Sequence, residues 1–191
     1  VMVVGKWPGV AEIREGRNFV GEAGEVFARM LAEAGFKQTD CQDWFVTNLV
    51  RFMQPDTNKA VSDRWVRDCQ PILHNELRLV RPRVVLALGA EASKFFLGKE
   101  LNGSLSAACR KAFVRSVPVH RRGEPEEYHE YLFVPCQHPA VAIHNPDKYP
   151  EVVEDLRFFR EVYTGDYHYR QTQTKRKDFR IVYTETDLNK V

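Results

Sequence analysis

Pro82-Arg83-Val84-Val85-Leu86-Ala87-Leu88-Gly89 is the stretch from which the fold is read. Between Arg83 and Gly89 every residue is apolar. A strand with no polar face is covered on both sides, which is the condition of a central strand in a parallel sheet. Upstream, residues 1–4 form a shorter apolar run ending at Gly5 and read as a second buried strand. Residues 44–50 read as a third, with Asn48 near its end, and residues 113–120 and 131–135 as two more. Helical spacing lies between them. Val26, Phe27, Met30, Leu31 and Ala34 fall three and four apart within 22–35, with Gly35 as cap. Ser62 caps a helix towards Leu79 whose stripe is Trp65, Cys69, Leu73 and Leu77, and Pro71 predicts a kink in it. Residues 90–97 give a short helix ended by Gly98. Residues 149–163 give a last one, with Val152, Val153, Leu156, Phe159 and Val162 inward. Strand and helix in alternation predict an α/β fold, a three-layer α/β/α sandwich around a mostly parallel sheet.

The chain has 191 residues, most simply one domain, with 28 Lys+Arg against 26 Asp+Glu. A net charge of +2 excludes a histone-like basic protein and an acidic tail, leaving room for a local basic patch. No run is long and apolar enough for a membrane span. Val1-Met2-Val3-Val4-Gly5 lacks the basic lead of a secretory signal. The four cysteines, Cys41, Cys69, Cys109 and Cys136, form no CxxC pair and read as reduced, mostly buried thiols of a cytoplasmic protein. After Thr164 the composition turns polar. Residues 1–164 read as the domain, 165–178 as a linker and 179–191 as the start of a further element, with an ordered edge strand as the alternative.

In parallel α/β sheets a ligand sits beyond the carboxyl ends of the strands. That rule singles out Gly5-Lys6-Trp7-Pro8-Gly9, Asn48, Gly89 and Gln137-His138-Pro139. Gly5 and Gly9, with Gly16 and Gly21 before the helix, allow backbone to approach a ligand, or simply shape a loop. Their spacing fits neither the dinucleotide nor the P-loop fingerprint. The Asn48 amide offers donors and an acceptor to a nucleobase edge, or satisfies local backbone in a turn. His138 has a ring that can donate to a developing oxyanion, or serve the structure alone.

Five segments in this order resemble a known family: Gly5-x-x-Pro8-Gly9-x-x-Glu12, Gly16-Arg17-Asn18-Phe19-Val20-Gly21-x-Ala23-Gly24, Thr47-Asn48, Arg81-Pro82-Arg83-Val84-Val85-Leu86-Ala87-Leu88-Gly89 and His138-Pro139-Ala140-x-x-x-x-Asn145-Pro146. They are similar to the uracil-DNA glycosylase superfamily, nearest its iron–sulfur, bacterial and phage branch. The resemblance, over about residues 1–159, implies a four-stranded parallel sheet and an enzyme that flips uracil from single- or double-stranded DNA and hydrolyses its N-glycosidic bond. It implies that Phe19 stacks on the base, that Asn48 reads its Watson–Crick edge, and that His138 donates to uracil O2. Gly5, Lys6, Trp7 and Pro8 would line the base site, and Glu12 would orient water or stand as a solvated helix-entry residue. Ile143 would wedge into the duplex. Apart from the resemblance, Arg17, Lys59, Arg121, Arg122 and His144 are the basic residues expected to meet phosphates, or simply to solvate a surface.

Three departures bear on chemistry. Lys6 and Trp7 stand where the family has an acid and a small residue, so a cation replaces a carboxylate and a large ring obstructs the pocket or adds a stacking face. Of the family's cluster ligands only Cys69 is matched; the CxxC would precede Val1, and Phe52 stands where another cysteine belongs. No iron and no other cofactor is expected, since a four-iron cluster takes four ligands. The wedge is reduced to Ala142 and Ile143, followed by His144. Finally, residues 178–188 resemble the lead-in to the exonuclease domain of phage family A DNA polymerases. The leading expectation is therefore a uracil-DNA glycosylase. The alternative is a catalytically silent accessory domain that binds DNA or protein beside polymerase domains.

Overall fold

The computed structural model describes residues 1–53, 61–101, 103–119 and 126–166. In chain order the elements are β1 (Met2–Gly5), α1 (Val10–Glu15), α2 (Glu22–Glu33), β2 (Phe45–Asn48), α3 (Asp63–Val80), β3 (Val84–Leu88), α4 (Ala90–Leu97), α5 (Leu105–Ala108), β4 (Phe113–Pro118), β5 (Tyr128–Cys136), α6 (Val141–His144) and α7 (Tyr149–Thr164). The strands form one sheet in the order β2-β1-β3-β5-β4. Four run parallel, as expected, with Val3 opposite both Val46 and Leu86, and Leu86 opposite Val134. The fifth, β4, is an antiparallel edge beside β5.

All five positions of β3 are buried. Alternation along the strands divides the core in two. Val3, Val84, Leu86, Leu88, Val134 and Cys136 face α2 and α7, meeting Met30, Leu156 and Phe159. Met2, Val4, Val85, Ala87 and Phe133 face α3 and α4, meeting Leu73, Leu77 and Phe96. These are the outer layers of the sandwich. Ser62 caps α3 by accepting from the Arg64 amide at 3.3 Å, and the helix continues through Pro71. No helix among the described residues is long and apolar enough to cross a membrane.

The last strand is longer than the expected 131–135: β5 begins at Tyr128, which pairs with Pro118. A two-strand edge is solvated on one side, so it tolerates Glu130 and His129 where a central strand would not. The stretch between Gly9 and Gly16 forms α1, which buries no residue and so carries no apolar stripe to read. Gly16 ends it at φ 67, returning its N–H to the Glu12 carbonyl. The linker and the following element, together with Lys59, Arg121 and Arg122, lie outside the described residues apart from Gly165 and Asp166.

Candidate active site

Four parallel strands end side by side, at Gly5, Asn48, Leu88 and Cys136. Beyond them the singled-out residues meet. A Cβ placed on Gly5 would lie 2.5 Å from Asn48 Oδ1 and 3.1 Å from the Phe19 ring tip. Glycine here is what lets amide and ring close over the strand end. Gly89, at φ +92, brings the other side in: a Cβ there would sit 3.2 Å from His138 Cβ. The Phe19 and His138 rings are stacked with centroids 6.3 Å apart. Phe19, Asn48 and His138 thus share one surrounding, although 119 positions separate the first from the last.

Each is held from behind. Phe19 has a left-handed backbone, φ 56, uncommon for a bulky residue. Its carbonyl would lie 2.0 Å from a Cβ on Gly24, so only glycine lets the loop press on α2. Glu12 Oε1 accepts from the Val20 and Gly21 amides at 3.0 and 2.9 Å. Burial alone would raise this carboxyl; the backbone hydrogen bonds from Gly21, Glu12, Val20 and Gly9 outweigh it and hold it below the usual carboxylate value. Its Oε1 thereby holds the Phe19 loop.

Asn48 is 5 % exposed. Its Nδ2 donates to Asn18 Oδ1 at 2.7 Å, and Asn18 Nδ2 donates to the Val46 carbonyl at 2.8 Å. Beside it Arg51 donates to Thr47 and, at 2.6 Å, to Glu76, which also accepts from Thr47 at 3.1 Å. An open cavity of about 250 Å³ adjoins Asn48, bordered by Pro8, Glu12, Ile13, Arg17, Asn18 and Arg51.

His138 Nδ1 accepts from the Ala140 amide at 3.2 Å. A backbone N–H can only donate, so the neutral ring carries its proton on Nε2. Burial lowers the pKa to about 4, Glu91 pushes it up and Lys6 pushes it down. The ring is neutral at pH 7. The preceding residue is anchored: the Gln137 amide donates to Asp155 Oδ2 at 3.3 Å, and Gln137 Nε2 to Ser106 at 2.7 Å. Asp155, 1 % exposed, stands on α7 with Arg110 at 3.8 Å.

Lys6 is not the unopposed cation expected. Its Nζ lies 2.9 Å from Glu91 Oε1, in the first turn of α4, and 3.8 Å over the Trp7 ring. Trp7 packs on the α3–α4 core, whereas Phe19 packs on the α2–α7 core. Arg17 is well exposed beside Glu15 at 3.5 Å, and His144 is exposed at the end of α6. Ile143 is half-buried against the α2–α7 core. Asn18, Glu91, Arg51 and Asp155 were not singled out from the sequence. Asn18 adjoins Phe19 and Glu91 is two past Gly89, but neither has a pattern of its own. Asp155 did leave a trace, an acid within the α7 apolar stripe.

Residues 1–163 match the uracil DNA glycosylase superfamily. The chain belongs to that superfamily. Similar proteins include type-4 uracil-DNA glycosylases from three organisms. That of Sulfurisphaera tokodaii is 29% identical over 175 residues, covering 87% of this chain and 74% of the relative. That of Pyrobaculum aerophilum is 30% identical, covering 83% and 76%. That of Thermotoga maritima is 32% identical, covering 76% and 67%.

The iron–sulfur cluster that the resemblance to one branch of the superfamily implies does not fit the described residues. Cys41 and Cys136 pack on the α2–α7 side of the sheet and Cys69 on the α3–α4 side. Cys109 is engaged with Asp155. Phe52 packs edge-on against Trp65, ring centroids 5.2 Å apart. No group of three or more His, Cys, Asp or Glu among the described residues is arranged to hold a metal ion.

Proposed function

We propose that this domain is a DNA glycosylase that excises uracil. The observation that carries the reading is the convergence of Phe19, Asn48 and a neutral His138 at the carboxyl edge of the sheet. A base rotated out of DNA loses stacking and pairing worth a few kcal/mol. Stacking on Phe19 and hydrogen bonds to the Asn48 amide offset that loss. As the bond between the base nitrogen and C1′ breaks, its electron pair moves onto the base and negative charge gathers on O2. His138 Nε2–H donates to that oxygen, with no proton transfer required. One such preorganised donor contributes about 3–4 kcal/mol to lowering the barrier. Water then adds to C1′ and loses a proton, which neutralises the departed uracil anion through solvent, leaving an abasic sugar and free uracil. Glu12 acts through Phe19 by holding its loop. Arg17 and His144 contact phosphates and Ile143 fills the space the base leaves. The comparisons give no support to the polymerase-domain alternative.

The test is a single-stranded oligonucleotide with one uracil, treated with protein and then with alkali. Cleavage at the uracil is expected, falling by about two to three orders of magnitude in His138→Ala. No cleavage by the wild type, or full cleavage by the variant, overturns the reading.

A further inference from the structure

We propose that Asn18 is the positioning residue that fixes which way the Asn48 amide faces, and that it thereby sets the preference for uracil over cytosine. The proposal rests on the glycosylase reading and adds a residue to it. A carbonyl can only accept, so the Val46 oxygen dictates that Asn18 turn its Nδ2 inward, where it donates at 2.8 Å. The Asn18 oxygen is then the atom left to face Asn48, and Asn48 must offer its own Nδ2, which it does at 2.7 Å. The polarity of a backbone group is relayed through two side chains. Asn48 Oδ1 consequently points over Gly5 towards Phe19.

Asn48 is left with one acceptor and its second N–H. Uracil presents the complement, N3–H and O4. Cytosine presents an unprotonated N3 and an amino group, so both contacts would be like against like. An Asn48 amide turned by 180° would reverse that preference, and the link to Asn18 opposes the turn.

Two variants separate orientation from mere tethering of the loop. Asn18→Leu removes both hydrogen bonds. Asn18→Asp keeps an oxygen that can only accept from Asn48, and loses the donor to Val46. Single-turnover release of uracil and of cytosine from matched single-stranded oligonucleotides is measured for each. With Asn18→Leu, the uracil-to-cytosine ratio is expected to fall at least about fivefold, the size of one net hydrogen bond. Asn18→Asp keeps it near wild type. An unchanged ratio in Asn18→Leu, or equal loss in both variants, overturns the proposal. The side-chain amide signals of Asn48 in ¹⁵N-labelled wild-type protein give a readout without turnover, assigned by their loss in Asn48→Ala. One Nδ2 proton protected from exchange supports the relay; two equally exposed protons overturn it. Absence of uracil release with a protected proton overturns the glycosylase reading and leaves the orientation standing.

Discussion

Lys6 shows how a residue's meaning changes once its partner is known. In the sequence it reads as a bare positive charge beside the expected base site. In the fold, Glu91 reaches it across the gap between β1 and α4 at 2.9 Å. Both charges act on His138 in opposite directions. Lys6→Met would leave the carboxylate unopposed and move the His138 titration upward; Glu91→Gln would move it downward. Histidine ring resonances followed against pH read this directly. Movement in the same direction for both variants, or none, contradicts the pairing. Lys6→Glu sets two carboxylates beside His138 and gives the largest upward movement.

At the level of elements, the loop between α1 and α2 is held by one side chain. Glu12 lies in the first turn of α1, and Gly21 caps α2 without a side chain of its own. The carboxylate of Glu12 instead accepts from the two amides just before the helix, eight and nine residues away. Charge-assisted hydrogen bonds of this kind exceed neutral ones. Glu12→Gln should lower unfolding stability by about 1–2 kcal/mol and reduce uracil release through a displaced Phe19. Because its folded pKa is depressed, the charged form is the stabilising one. The contribution is present above the unfolded carboxyl value and lost as pH falls through the folded one. Urea unfolding of the two proteins at pH 7 and pH 3 gives the comparison; a gap that widens in acid is the result that contradicts it.

At the scale of the whole molecule, burial sets the response to acid. His74 and His138 are each lowered from 6.5 to about 4 by desolvation. Between those values the unfolded chain binds more protons than the folded one, so stability falls as pH is lowered through the window. The urea midpoint should drop from pH 7 to pH 4.5, and drop less in His74→Gln. A flat profile in the wild type contradicts both buried rings. The sheet itself resists such changes, because its four parallel strands and two core layers contain few ionisable groups.

Much of this architecture is written in local pattern. The unbroken apolar run of β3, the stripes of α2 and α7 and the Ser62 cap each follow from burial acting on neighbouring residues, and neighbours are what a sequence displays. Asn48 and His138 were legible for a related reason, since one stands at a strand end and the other before a proline, whereas Phe19 entered only through the family resemblance. Residues 1–163 as a whole match the superfamily. What the chain could not display was pairing between segments remote in sequence. The Glu91 partner of Lys6, the Glu12 hold on residues 20 and 21, and the Asn18 link that orients Asn48 depend on distances of about 3 Å between side chains and groups brought together only when α1, α2, α4 and the sheet pack. Hydrogen bonds and ion pairs are decided by that last ångström of placement, and periodicity carries no record of it.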